Sequence, residues 1–355
     1  MARRSILIIA VLIFFVACNQ QQVSLERFPY PYQAAFTICS DIDNTCTLEE
    51  LTVIQEFLCT DKKTAIGNGL NLPLGNSFWM ENELIKFGVE EKFSQKTPDY
   101  GISYLSAWQD SLPVVQKTIR EYNAKGWIDC LHSYGHFSQT GFNRQRAKEY
   151  LQIMRRDSLQ VDVFVNHGGL ENLHSLGFSA HQLGDNPETD FYHADLTIDY
   201  GIRYLWDGQL SHAIGLSGSF SLENSLKNAF ETLQDWFNPN FCYKHNLELA
   251  YPITLEDGSK IFRFTRFLNS WGKHDRADIN FMAEQINDDV LQKLLKNRGY
   301  LIYYTHLGEN DGLPYFKKQT IAQLRKLKKM YEQGKLWITS TSELLNYYTL
   351  NKYLN

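Results

Sequence analysis

Ala34-Ala35-Phe36-Thr37-Ile38-Cys39-Ser40-Asp41-Ile42-Asp43 is an uncharged, largely apolar run that stops in two carboxylates. Short runs of this composition are buried strands. Two further runs end in imidazoles: Trp127 to Leu131 before His132-Ser133-Tyr134-Gly135-His136, and Tyr300 to Tyr304 before Thr305-His306. Where parallel strands form a barrel, the residues just past their C-terminal ends converge on one face and carry the chemistry. This reading predicts that Asp41, Asp43, His132, His136 and His306 meet in space.

The rest of the chain supplies the elements such a fold needs. A helical pattern from Leu48 to Leu58 places Leu51, Ile54, Phe57 and Leu58 on one face. Helices are predicted around Ser103 to Ala124, Arg144 to Arg155, Leu222 to Trp236, Asp288 to Lys296 and Ile321 to Tyr331, with a last one from Ser342. Strands are predicted at Val161 to Val165, Ile202 to Trp206 and Leu336 to Thr339. Ala250 to Phe267 alternates around Glu256-Asp257-Gly258-Ser259, the pattern of an antiparallel hairpin added to the main sheet. Strands alternating with helices imply an α/β fold with parallel pairing, as a barrel or an open doubly wound sheet. The loop-rich stretch Thr60 to Tyr100 interrupts the alternation, and long loops in a compact domain are usually functional.

The 355 residues suffice for one barrel-sized domain over 31–355. The hydrophobic share of 43% and charged share of 21% are ordinary globular usage. A net charge of −5 argues against a surface that tracks phosphates, so nucleic acid is not an expected partner. Arg3 and Arg4 precede an apolar run from Ile6 to Ala17 that is short for a bilayer span, so 1–17 reads as an export signal. Val16-Ala17-Cys18 resembles a bacterial lipobox, with Phe15 where Leu is usual. That resemblance implies a lipidated Cys18 as mature N-terminus, a tether over 18–30, and attachment to the membrane of the bacterial cell envelope, with cleaved secretion or an uncleaved anchor as the alternatives. Cys39, Cys46, Cys59, Cys130 and Cys242 show no CxxC spacing and read mostly as small buried hydrophobes, with a Cys46 to Cys59 bridge conceivable.

His132 and His136 are four apart, which on a helical turn sets two imidazoles on one side, where both can bind one cation. The bland alternative is two unrelated polar residues on a loop. Asp41 and Asp43 flank Ile42, and in an extended segment they point the same way and share a pocket. A cation relieves that crowding, with one carboxylate as ligand and the other free as a base. The alternative is an N-cap, with Asp43 or Asn44 opening the next helix. His306 alone would more often be a hydrogen-bonded structural residue than a catalyst.

Together these segments resemble the polysaccharide deacetylase superfamily. Ala35 to Asp43 is similar to its first motif in an Asp-x-Asp form, His132-Ser133-Tyr134-Gly135-His136 to its second, Ile202-Arg203-Tyr204-Leu205-Trp206-Asp207 to its fourth, and Ile302 to His306 to its fifth. The resemblance implies a distorted (β/α) barrel and one divalent metal on Asp43, His132 and His136, zinc by default with cobalt, nickel or iron fitting the same ligands. It further implies Asp41 as general base, His306 as general acid, and an N- or O-acetylated glycan as substrate. Two departures stand out. Ile42 splits the usual Asp-Asp pair, as in some members, and the arginine loop of the third motif is not recognisable. Asn166-His167-Gly168-Gly169 stands where that loop is expected, which makes His167 a candidate partner of the ligands or contact for substrate. Arg203 or Arg266 is the candidate guanidinium, Asp207 a candidate carboxylate to hold the His306 imidazolium, and Trp79 and Trp206 are candidate sugar platforms with core packing as their alternative. His174, His181, His193, His212, His245 and His274 carry no assignment, although Tyr192 to Asp195 suits a cleft rim.

Two rival functions remain at this stage. One is a glycan-binding surface lipoprotein that kept the fold without the activity, for which the missing third motif speaks. The other is a mononuclear iron oxygenase, since two His and one carboxylate is also that ligand set. The close His-x-Asp spacing usual there is absent, and Asp41 would be unexplained.

Overall fold

The computed structural model describes residues 26–83, 101–106, 110–138, 140–168, 172–177, 181–218, 220–237, 247–269, 277–308 and 315–353. The run 1–17 read as an export signal, Cys18, the first part of the expected tether, Gly169, Cys242, His245, His274 and the later part of Thr60 to Tyr100 lie outside the described residues.

The strands are β1 (Ala34–Asp41), β2 (Ser77–Phe78), β3 (Glu81–Asn82), β4 (Cys130–His132), β5 (Gly135–His136), β6 (Val163–Val165), β7 (Tyr204–Trp206), β8 (Leu210–Ser211), β9 (Ala250–Thr254), β10 (Lys260–Phe264), β11 (Arg266–Phe267), β12 (Tyr300–His306) and β13 (Leu336–Ile338). The helices are α1 (Leu48–Cys59), α2 (Leu112–Ala124), α3 (Arg144–Arg156), α4 (Ala194–Tyr200), α5 (Leu222–Phe237), α6 (Met282–Gln285), α7 (Asp288–Asn297), α8 (Lys318–Glu332) and α9 (Thr341–Tyr353). One sheet has the order β13-β1-β12-β11-β8 and the other β2-β4-β6-β7-β10-β9, with β3 and β5 as a separate pair. All pairings are parallel except the β9–β10 hairpin, in which Ile261 faces Ile253. The fold is therefore α/β with two parallel sheets.

β1 shows why these runs form buried strands. All eight of its residues are buried, as parallel strands covered on both faces must be. Ala34, Phe36 and Ile38 face outward under α1, α7 and α8, while Ala35 and Cys39 face inward. Burying a side chain such as Phe36 or Ile38 stabilises by about 1.5–3 kcal/mol. The inward layer also takes Cys130, Val163, Val165, Tyr204, Trp206, Phe264 and Ile302, so the two sheets share one core. A third core lies beneath α2, α3 and α4, against Leu131, Phe164 and Leu205.

The chain passes twice from the second sheet to the first, from β7 to β8 and from β10 through Thr265 to β11. The second crossing turns Arg266 into the shared core, where it is wholly buried. The helix expected from Ser103 begins only at Leu112, because Pro113 belongs in a first turn and not in a helix interior. Ser103 instead bridges to Trp79. Cys46 and Cys59 are free thiols, one exposed and one buried, so the conceivable bridge between them is not formed.

Candidate metal centre

The parallel register of β1 with β12 sets Asp41 opposite His306. His132 ends β4 opposite Val165 of β6, and His167 follows two residues beyond that strand. Ile42 packs into the core, which leaves Asp41 and Asp43 on the side of the strand ends. The N-cap alternative for Asp43 and Asn44 does not hold, since Thr47 caps α1 by accepting from the Glu50 amide.

Asp43 stands at the middle of the cluster. Its Oδ1 lies 2.8 Å from His132 Nε2 and 3.7 Å from His167 Nδ1. These two nitrogens are 3.2 Å apart. Three donors at zinc distances from one tetrahedral ion stand about 3.3 Å from each other, so the triangle has the size of one coordination face. His132 Nδ1 lies 3.1 Å from the Val165 carbonyl oxygen, a contact that calls for a proton on Nδ1. In the neutral ring, Nε2 then offers a lone pair toward a carboxylate oxygen. Asp43 Oδ1 is itself buried without a hydrogen bond. Two facing acceptors require a positive charge between them, a proton or a cation.

The titrations agree with that demand. Burial works to discharge His132, yet Asp41 and Asp43 outweigh it and push its pKa up. Burial also opposes the charge on Asp43, but His132, helped by the bond from His306, holds its carboxyl well below the usual range. Burial drives His167 down to about 3, against the pull of Asp43 and with the help of its histidine neighbours. Neutral imidazole is the form that ligates metals.

Asp43 Oδ2 serves the other side of the site. It accepts from His306 Nε2 at 3.2 Å, while His306 Nδ1 donates to the Ala277 carbonyl. Burial pulls the His306 pKa down, but the bond it donates to Asp43 and the field of both aspartates raise it to about 9. Asp41 is held differently. Arg266 donates to both of its oxygens, at 2.6 and 3.1 Å, and the guanidinium carbon lies 3.3 Å from the Trp206 ring centre and 3.7 Å from that of Tyr304.

The remaining candidates separate clearly. His136 places Nδ1 2.9 Å from His167 Nε2, one residue behind the triangle; among the described residues the donor groups at ligand distance are Asp43, His132 and His167, and on the other side of Asp43 the set Asp41, Asp43 and His306. The helical spacing that would set His136 beside His132 is absent, because Ser133 and Gly135 have φ of +52° and +137° and Gly135-His136 pairs as β5 with β3. A Cβ at Gly135 would stand 1.7 Å from the Glu81 carbonyl oxygen, so only glycine permits this path.

Arg203 is not part of the site: half-exposed, it binds Asp162 and Asn346 before the start of β7. Asp207 pairs with Arg263 at 2.5 Å, and Asp43 takes the place at His306 expected of it. Trp79 and Trp206 are both buried and present no open face to a sugar. Trp79 stacks over His132 at 5.8 Å and meets the edge of His167 at 5.0 Å, and Trp206 donates to the Gln209 carbonyl while covering Arg266. Tyr304 and the Ala277 carbonyl carried no signal in the sequence, since each acts through what the fold brings beside it.

The fold and site together define an α/β protein with a buried Asp/His centre able to hold a cation. No family model matches the chain, and no curated protein matches it. Among solved structures, a 4-alpha-glucanotransferase from Thermococcus litoralis is similar over 88% of this chain at 10% identity, with a TM-score of 0.38. The chain spans 40% of that protein's length, and a likeness of this degree carries no argument about the site.

Proposed function

We propose that the protein is an exported, metal-dependent deacetylase of acetylated glycans, with its two sheets forming a distorted (β/α) barrel of the polysaccharide deacetylase kind. The observation that carries this reading is Asp43 Oδ1, a buried carboxylate oxygen without a hydrogen bond, set among imidazole nitrogens. Asp43, His132 and His167 would hold one divalent ion, and two nitrogens with one oxygen favour zinc. A bound ion supplies Lewis acidity toward the acyl oxygen and lowers the pKa of water.

The other residues divide the proton work. Arg266 fixes the Asp41 carboxylate by two hydrogen bonds, so that Asp41 stands ready to take the proton from the attacking water. His306, with its pKa raised to about 9, carries a proton at neutral pH and gives it to the leaving amine or alcohol. Arg266 fills the task of the arginine absent from the third motif, reaching Asp41 from β11.

Acetate release across chitin-, peptidoglycan- and exopolysaccharide-derived oligomers, with zinc supplied, tests the reading. Release that depends on metal is expected, and its absence over the whole panel would sink it. The iron oxygenase keeps the ligand set it had from the sequence, since Asp43, His132 and His167 are again two His and one carboxylate. It leaves the Asp41, Arg266 and His306 arrangement without a task, and acetate release under exclusion of oxygen separates the two. The burial of Trp79 and Trp206 weighs against the binding-protein rival, which needs open aromatic faces.

A further inference from the structure

The helix α5 is built inside out. Leu222, Leu226, Phe230, Leu233 and Phe237 recur every three or four residues, and with Phe220 and Trp236 they are 41% to 83% exposed. Seven of the eleven large apolar side chains exposed among the described residues therefore fall in this one segment. Three of its polar residues reach inward instead. Asn224 bonds both the amide and the carbonyl of Ile214, Glu231 accepts from the His212 amide, and Lys227 donates to the His212 carbonyl. A helix in water turns its apolar stripe to the core. This one turns it out, and the medium that suits it is apolar.

Where the described chain begins decides what that medium is. The Arg27 carbonyl accepts from the Tyr300 hydroxyl and Phe28 packs on the Tyr300 ring, while the Tyr300 backbone bridges to Leu216. Leu216 lies only a few residues before Phe220 and α5. The chain thus enters at the strand-start end beside the foot of this helix. Eight residues, 18–25, separate Glu26 from the apolar run Ile6 to Ala17, and fully extended they reach about 26–29 Å. The 16 residues of α5 span about 24 Å, so a bilayer that holds the chain at a lipidated Cys18, or at an uncleaved N-terminal run, lies within reach of the whole helix.

We propose that the outward face of α5 seats on a lipid bilayer, lying in the interface plane. Aromatic residues at both ends, Phe220 and Trp236-Phe237, suit the headgroup boundary. Among the described residues no helix is long and apolar enough to cross a membrane, so α5 lies on the surface. Glu223, Lys227, Glu231 and Asp235 give the segment no basic excess, so apolar burial drives the contact and added salt leaves it in place. The proposal rests on reading the N-terminal run as membrane-directed, not on the metal centre, so a failed acetate assay leaves it standing.

The test uses the full chain in phosphatidylethanolamine and phosphatidylglycerol vesicles doped with dibrominated phosphatidylcholine, which quenches tryptophan in the interface. Quenching in the wild type should be lost for the larger part in Trp236→Phe, which removes the reporter and keeps the face apolar. Leu226→Asp with Leu233→Asp, at two exposed positions, should keep the circular dichroism spectrum and lose the quenching as well. Equal quenching in wild type and Trp236→Phe overturns the proposal. So does a Trp236 shielded from iodide without vesicles: in a monomer it assigns the face to the chain's own N-terminal residues, and in a sedimenting dimer to a second copy.

Discussion

Asp41 and Asp43 are two residues apart on one strand end, equally removed from water, and held in opposite ways. Both Asp41 oxygens accept from Arg266, a cation that the fold itself buries between two aromatic rings. Asp43 has a cationic partner on one side only: its Oδ2 accepts from His306, while its Oδ1 faces His132 and His167 without a hydrogen bond. A carboxylate that leaves water needs a compensating charge. The chain supplies a permanent charge to both oxygens of Asp41, but to Asp43 only the titratable His306 at Oδ2, which leaves Oδ1 open to a proton or a cation. On the proposed reading, this asymmetry separates a base, Asp41, from a ligand, Asp43.

The largest expected effect comes from taking away the built-in cation. Arg266→Met leaves Asp41 buried and unpaired, and loss of one partner from a buried pair costs about 3–5 kcal/mol. Denaturant unfolding in chelator measures it. Asp43→Asn, measured in the same way, should cost far less, because the partner it leaves, His306, can give up its proton, whereas an aspartate orphaned by loss of Arg266 stays buried beside no cation. Equal losses in the two variants would break the comparison.

Next in size is a catalytic effect. Asp41→Asn keeps the shape and should retain the metal, but removes the proton acceptor, so kcat should fall by roughly two or more orders of magnitude. Single-turnover acetate release on metal-loaded protein is the measurement. Wild-type turnover with metal bound would take the base role away from Asp41.

What the sequence could reveal of this arrangement follows from which interactions are local. β1, β4 and β12 were legible because a strand buried on both faces must be apolar throughout, and the charged residue that ends it is conspicuous. The β9–β10 hairpin was legible through its turn residues. Arg266 was one of two candidates, since its pairing with Asp41 depends on the crossing at Thr265, which has no sequence signature. The exchange of His136 for His167 was hidden in the dihedrals of Ser133 and Gly135, where a positive φ replaces the helical turn assumed from the spacing. β2, β3, β5, β8 and β11, of two residues each, are too short for any periodicity to show. The helix at Leu222 was visible in its period, whereas the direction of its apolar face was not, because periodicity fixes a stripe and not what covers it.

Metal binding sharpens the comparison on the Asp43 side. A ligand that binds only the folded state stabilises it by about 2.7 kcal/mol at a hundredfold excess over its Kd. Zinc at that excess should raise the melting temperature of the wild type and leave those of Asp43→Ala and His167→Ala unchanged. His136→Ala should still respond, with affinity weaker by about 10–100-fold, as for residues that orient a ligand. Calorimetric titration decides between the two histidines. Loss of binding in His136→Ala with retention in His167→Ala would restore the triad implied by the family resemblance.

The smallest effect, per pH unit, comes from a third buried aspartate that has neither solution. Asp129 accepts from the Ser342 amide and lies beside the Cys130 thiol. Burial, only partly offset by those bonds and reinforced by Asp162, raises its pKa to about 7. Here a proton answers the cost that Arg266 answers for Asp41. The folded protein therefore holds a proton between about pH 4 and 7 that the unfolded chain, with an ordinary aspartate, has released. Stability should fall as pH rises through that window, by at most about 1.4 kcal/mol per unit, and level off above it. Glu231, also raised by burial to about 7, adds a slope of the same sign, so the diagnostic quantity is the difference between wild type and Asp129→Asn. The amide offers Ser342 the same acceptor and carries no titrating proton, so the variant should be less pH-dependent between pH 4 and 7 and gain on the wild type as the pH rises. Parallel stability curves for the two proteins would mean that Asp129 finds a counter-charge of its own, and that the fold answers a buried carboxylate in fewer ways than these three residues indicate.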